Sequence, residues 1–327
     1  MTDSKSKLLI IGVTGNLGFE LANASLNASH PTLGLVRDSA FSDPNKLHKI
    51  QLLSDSGLKI VKGSLHDEES LIEALKQADV VICAVASKQV HDQKALISAM
   101  KRAGCIKRFI PSEFGSDPDR TRVSHLDHNF YSRKSEIRRL VESQGIPYTY
   151  VCCNFYTSYL LPSLVQPGLQ APPRDNVTIF GDGNVRGVFM KESDVAAFTI
   201  STVDDPRTLN KTMSLRPPGN TLSMNELVTV WESKIGKKLE RNYISEEELL
   251  KRIQAMHCRN SISRQHAVGF HILGVCEGRS NLLRHRLIKR CGGNSVVSAH
   301  QIQNRCVSSS YSYMCHEFAV IGSCCCP

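Results

Sequence analysis

Two stretches of this 327-residue chain carry groups spaced for chemistry. The first is Gly12-Val13-Thr14-Gly15-Asn16-Leu17-Gly18, directly after the apolar run Lys7-Leu-Leu-Ile-Ile11. Glycines so spaced permit a tight turn and close backbone approach, so that amide N–H groups at the start of the next helix face a pyrophosphate while the helix dipole adds positive charge. A helix-compatible stretch, Phe19 to Leu26, and a second strand-like run ending Leu35-Val36-Arg37 complete one βαβ unit, which argues for dinucleotide binding over an ordinary glycine turn. The second stretch, Asn129 to Arg139, places Lys134 and Arg138 four residues apart, hence on one helix face. One could serve a reaction and the other a cofactor phosphate, since a lysine in a partly dry cleft beside other cations can act as a general base. The bland alternative, a solvated basic face, fits Arg133 and Arg139 better; for Lys134 the residues alone leave the two readings even.

The residue closing the second strand decides which dinucleotide. An acidic side chain there would accept from a ribose 2′-hydroxyl, whereas the Arg37 guanidinium suits a 2′-phosphate, so NADP is expected rather than NAD. Asp38 follows at once and is the counter-argument if it turns inward.

The elements that must position these groups alternate. Leu8–Ile11, Thr32–Val36, Lys59–Val61, Val80–Val85, Arg108–Ile110 and Tyr148–Val151 read as buried strands. Phe19–Leu26, Asn45–Ser54, Glu68–Gln77, Gln89–Arg102 and Phe130–Ser143 read as helices, with Asp67 where an N-cap is wanted and Gly57 and Gly104 where helices end. The fold class is therefore α/β, a doubly wound parallel sheet of the Rossmann kind. An NADP-binding domain is expected over 5–154, and a smaller substrate domain, partly interleaved with the sheet, over 155–257. In the latter, Gln166-Pro-Gly168, Gly181-Asp-Gly183 and Arg216-Pro-Pro-Gly219 punctuate short elements, and a substrate cleft lies between the two parts.

Composition narrows the class. No apolar run reaches membrane-spanning length and Met1-Thr-Asp-Ser-Lys5 lacks a signal-peptide core, so a cytoplasmic protein without membrane contact is expected. The sequons at Asn23, Asn27, Asn176 and Asn210 are then chance matches. The formal charge of +9 invites a nucleic-acid reading, yet the segment from Cys258 to Pro327 alone carries +6 and eight of the twelve cysteines. Its cysteine spacings match no metal pattern, and Cys152-Cys153 read as ordinary buried thiols, so neither a metal nor a nucleic-acid partner is expected. Trp231 is most simply core. Tyr131 precedes Lys134 by three rather than four, so the Tyr-x-x-x-Lys pair of many short-chain dehydrogenases is not written here.

Gly12-x-Thr-Gly-x-x-Gly18, Lys107-Arg-Phe-Ile-Pro-Ser-Glu-Phe-Gly115, Gly145-Ile-Pro-Tyr-Thr-Tyr150, Ala171-Pro-Pro-Arg-Asp175, Asp204-Asp-Pro-Arg-Thr-Leu-Asn-Lys211 and Trp231-Glu-x-Lys-Ile-Gly236 together resemble the plant isoflavone reductase and phenylcoumaran benzylic ether reductase family of NmrA-like, atypical short-chain enzymes. That family includes pinoresinol-lariciresinol, leucoanthocyanidin and eugenol-forming reductases, and the likeness runs from about Lys5 to Ile253. The resemblance implies an NADPH-dependent reductase of phenylpropanoid, lignan or isoflavonoid phenols. By matching motif, residues 12 to 18 cradle the pyrophosphate, Arg37 and Lys46 hold the 2′-phosphate, Lys134 is the general base and Arg138 touches the cofactor. The base would deprotonate a phenol, a quinone-methide-like electrophile would form, and hydride would reach a benzylic or conjugated carbon. The resemblance is compatible with a homodimer. It also places the Ser112-Glu113 loop near the cofactor and sets substrate choice around Lys88 and Phe155 to Leu161.

Asn16 stands where most members carry Tyr, a change the backbone-based phosphate grip tolerates. The larger departure is the segment 258–327, which lacks the family's closing text. Gly274-Val-Cys-Glu-Gly-Arg-Ser-Asn281 and Arg290 to Ala299 can both be encoded by codons that, regrouped by one nucleotide, read as family-like sequence, so this tail is expected to be an out-of-frame translation. Two further readings stand beside the reductase: a non-catalytic NADP-binding regulator on the same fold, and a family member inactivated by its altered C-terminus.

Overall fold

The computed structural model describes residues 5–121, 130–166, 168–245, 247–248 and 297–298. The expected frame-shift segment, 258–327, lies outside the described residues except for its Val297–Ser298 pair.

Five parallel strands in the order β3-β2-β1-β4-β5 make the central sheet: β1 (Leu8–Ile11), β2 (Thr32–Val36), β3 (Lys59–Lys62), β4 (Val80–Cys83) and β5 (Arg108–Ile110). Between them run α1 (Asn16–Asn27), α2 (Pro44–Asp55), α3 (Glu68–Leu75) and α4 (Gln93–Ala103); α5 (Phe130–Ser143) leads into β6 (Thr149–Cys152), which touches β5 through a Phe109–Tyr148 bridge. Because β-strand side chains alternate faces, Leu8, Ile10, Val80 and Ile82 enter one core with α1 and α2, while Leu9, Ile11, Val81 and Cys83 enter another with α3 and α4. Both faces are covered, which is why the strands read as continuous apolar runs. The expected caps are present: Asp67 accepts from the Ser70 amide at 3.3 Å, and Gly104 ends α4 at φ +67°.

Several boundaries differ from the sequence reading. Helix α1 begins at Asn16, three residues early, because Gly18 packs inside its first turn. The stretch expected as one helix from Gln89 splits into a 3₁₀ turn (Ser87–Asp92) and α4, and β4 stops at Cys83.

Beyond β6 the chain forms β7 (Phe155–Tyr156), a short α6 (Thr157–Leu160), β8 (Asn176–Phe180), β9 (Arg186–Met190), α7 (Glu192–Ser201), β10 (Lys211–Ser214), β11 (Thr221–Ser223), α8 (Met224–Ile235) and β12 (Glu240–Ile244). β8 pairs with β12, β9 with β7 and β11, around a third core that includes Val177, Phe189, Leu227 and buried Trp231, whose Nε1 donates to the Pro173 carbonyl at 2.7 Å. Two of these later elements return to the first part of the chain: α7 lies against α1, and β10 extends β6 in parallel, with β13 (Val297–Ser298) beyond it. Arg108 ties the parts, donating to Thr208 Oγ1 at 2.6 Å and the Asp205 carbonyl at 2.9 Å from a buried position on β5.

Candidate active site

The glycine turn fits a nucleotide for steric reasons. Gly12 sits at φ +94°, and a β-carbon there would fall 2.5 Å from the Ala84 carbonyl oxygen at the end of β4. A β-carbon on Gly18 would fall 2.0 Å from the Gly12 carbonyl oxygen, and one on Gly15 3.2 Å from the same atom. The three glycines thus let β1 turn into α1 with close backbone packing, while Val13 is buried under the turn. Gly15 is the N-cap and supplies no side-chain acceptor, so the first amides of α1, on Asn16, Leu17 and Gly18, keep the free N–H groups that a helix start presents to an anion. The turn opens at the carboxyl ends of β1 and β4, where the strand order reverses, the place such sheets bind ligands.

At the end of β2, Arg37 is exposed and heads the 3₁₀ turn Asp38–Ala40. Asp38 does not turn inward: its carboxylate is exposed and lies 3.4 Å from the Lys62 ammonium. Lys46 is in the first turn of α2, half-exposed, and its Nζ meets the N-cap carboxylate of Asp43 at 2.6 Å. Lys49, which the sequence reading passed over, reaches Thr14 O at 3.4 Å and Asn16 Oδ1 at 3.3 Å, so a second cation lies over the glycine turn. Its signal was only helical spacing, one turn beyond Lys46.

The second stretch resolves into a buried constellation. Lys134 is 5% exposed, and its Nζ donates to the Glu113 carbonyl at 2.6 Å with the Phe130 ring 4.4 Å away. Burial pushes its pKa below the ordinary lysine value, the Glu113 carboxylate and the Cys153 and Cys152 thiols acting in the opposite sense. The solvated-face reading therefore describes Arg133, which is exposed, and not Lys134.

Arg138 is buried, at 2% exposed. Its Nε and one Nη bond the Glu113 carboxylate at 2.6 and 2.5 Å. The other Nη donates to Asp117 at 2.8 Å and Asp119 at 3.0 Å, and the fifth N–H points at Cys152 Sγ at 3.5 Å. All five guanidinium donors are engaged by protein, and the Tyr150 ring lies 4.5 Å from the guanidinium carbon. Glu113, whose loop the family resemblance places near the cofactor, thus joins the site: burial pushes its carboxyl up while Arg138 pulls it down. Ser112 is structural: its Oγ donates to Val85 O at 2.8 Å and its backbone N–H donates to Oε1 of buried Gln93 at 2.8 Å, which knits the β4 and β5 loop ends together.

The same loop reaches β6: Gly115 O accepts from the Cys153 and Asn154 amides at 3.0 and 3.1 Å. Phe114 and Asn154 flank this junction at φ +37° and +60°, left-handed conformations that cost energy outside glycine and cluster at functional sites. Asn154 Nδ2 and Thr157 Oγ1 are buried without a hydrogen-bond partner among the described residues. Cys153 is buried, its thiol pushed up to about 12, as expected of an inert thiol.

The NmrA-like family model matches residues 4–271. The chain belongs to the NmrA-like family. It is 59% identical to the probable pinoresinol-lariciresinol reductase 3 of Arabidopsis thaliana over 76% of this chain and 80% of that protein. Among solved structures it is similar to isoflavone reductase, with a TM-score of 0.83 at 37% identity over 96% and 99% of the two chains. The leucoanthocyanidin reductase of Vitis vinifera, solved as a binary complex with NADPH, gives 0.81 at 36% identity over 96% and 99%. This NmrA-like chain accordingly has the isoflavone reductase-like Rossmann fold, and no helix among its described residues is long and apolar enough to cross a membrane.

Proposed function

We propose that this chain is an NADPH-dependent reductase of phenylpropanoid, lignan or isoflavonoid substrates, working in the cytoplasm with Lys134 as its general base. The observation that carries the reading is the pairing of a glycine-built turn at Gly12–Gly18, whose helix start has no side-chain cap, with a buried lysine of lowered pKa at the same end of the sheet. The first amides of α1 would hold the pyrophosphate, and Arg37 and Lys46 the 2′-phosphate. Arg37 is free for that task, whereas Lys46 would have to share itself with Asp43.

With a substrate phenol against Lys134, the neutral amine takes the phenolic proton, and the phenolate expels the benzylic ether oxygen to leave a quinone methide. When bound, the cofactor supplies the hydride for that carbon. Lys134, now an ammonium, would return its proton to the released oxygen and end neutral, and the phenolate regenerated by hydride addition would take one proton from solvent. Asn154 Nδ2 and Thr157 Oγ1 would orient the substrate, and the Phe130 ring beside Lys134 would limit water there.

The test is turnover of the purified full chain with NADPH and, separately, pinoresinol, a phenylcoumaran or an isoflavone, read as product mass. Reduction of at least one supports the proposal. Cofactor binding with none reduced would leave a regulator, and loss of Lys134 without effect on turnover would remove the base from the mechanism.

A further inference from the structure

We propose that Glu113 and Arg138 are positioning residues for Lys134, and that Arg138 serves the base through Glu113 rather than by touching the cofactor. The inference rests on Lys134 being the base. Its ground is that one residue bonds α5 twice: the Glu113 carbonyl takes the Lys134 ammonium at 2.6 Å, and the Glu113 carboxylate takes Arg138, one helical turn on, at 2.6 and 2.5 Å.

A lysine side chain has four rotatable bonds and is poorly fixed by one acceptor unless that acceptor is itself fixed. The loop that carries Glu113 is tied down at Ser112 and at Gly115, and between those ties the Glu113 side chain is anchored by Arg138. It is neither helix nor strand, and its next residue, Phe114, is strained at φ +37°. The bidentate pair therefore sets where the carbonyl points, and through it where Nζ waits. Asp117, Asp119, Tyr150 and Cys152 around Arg138 keep the guanidinium flat against Glu113 and leave it no donor for a cofactor oxygen.

The groups facing Lys134 are Glu113 from the loop, Cys152 and Cys153 from the end of β6, and Arg138 and Phe130 from its own helix. Of the two acting most strongly on its charge, burial favours the neutral amine and Glu113 favours the ammonium. Neutralising Glu113 while keeping its shape should therefore lower the pH at which Lys134 loses its proton. A merely structural role predicts the reverse, since loosened packing admits water and returns a lysine towards its ordinary value.

The experiment compares wild type, Glu113→Gln, Glu113→Asp, Arg138→Lys and Lys134→Ala as full chains. Protonation of Lys134 is read without turnover by competitive acetylation with acetic anhydride across pH and peptide mass spectrometry. NADPH affinity is read by fluorescence titration and kcat by turnover. E113Q should move the labelling midpoint down by about one pH unit and lower kcat about 10- to 100-fold, with NADPH affinity within about twofold of wild type. R138K should likewise lower kcat and spare NADPH affinity. If E113Q does not fold, E113D carries the test, with kcat lowered and both midpoint and NADPH affinity unchanged. An E113Q midpoint that stays or rises, or NADPH affinity weakened about tenfold in R138K, overturns the proposal. If Lys134→Ala turns over normally, it is the underlying reading that has failed; an inactive Lys134→Ala beside a normal E113Q refutes the positioning role alone.

Discussion

Gly18 and Gly12 lie so close across the first turn of α1 that a single methyl group on Gly18 would sit 2.0 Å from the Gly12 carbonyl oxygen. This contact lets the helix start abut the strand end, and the proposed nucleotide grip depends on it. Any side chain at residue 18 must push the turn open and with it the amides of Asn16 and Leu17.

Gly18→Ala should therefore cost about 1–3 kcal/mol of stability, as overpacking of a tight backbone site does. Thermal melting with and without NADPH is the check. The variant should melt lower and gain less from added cofactor than wild type, and an unchanged ligand-induced shift would show that the turn does not hold the nucleotide.

Lys134→Ala should lower kcat about 10²- to 10⁴-fold while NADPH still binds, since the lost group transfers a proton and is not assigned to the cofactor. The pH dependence has a defined sign. The working form is the neutral amine, so kcat/KM rises with pH through the Lys134 midpoint, and burial places that midpoint below the ordinary lysine value of 10.5. A profile measured on soluble wild-type chain that shows no rising limb below the ordinary lysine value would rule the base out.

Far from the site, Glu232 on α8 accepts from the Leu239 amide at 3.0 Å and from Lys238 and Arg241 at 2.9 Å each. Chiefly through the Leu239 amide, its carboxyl is held down at about 2, against an ordinary 4.5. Because the folded value is the lower one, its stabilisation is present above pH 4.5 and is lost as pH falls towards 2. Glu232→Gln should melt lower near neutral pH and flatten the acid dependence below that value; melts of both proteins across pH, with parallel acid slopes, would contradict this.

Most of the sheet was legible because β1, β2, β4 and β5 are buried on both faces and several helices are bounded by local signals such as Asp67 and Gly104. Lys134 was legible as a helical position but not as a buried one, for burial is decided by Glu113 and Phe130 closing over it. The Glu113–Arg138 pair spans 25 residues, and β10 meets β6 some 60 residues away, so neither leaves a periodic trace. Arg138 shows the same limit from the other side. Its place one turn after Lys134 is written in the sequence, whereas the three carboxylates that engage it come from a loop whose path only the fold defines.

The most direct test of the account is a paired titration of the purified full chain, and of its Arg37→Ala variant, with NADPH and NADH. Arg37 is exposed at the end of β2 and Asp38 is turned to Lys62, so wild type should bind NADPH at least about tenfold more tightly than NADH, in line with one charge-assisted guanidinium–phosphate contact. The variant should lose that preference while keeping its NADH affinity. Equal affinity of the wild type for the two nucleotides, or uptake of neither, would contradict the account.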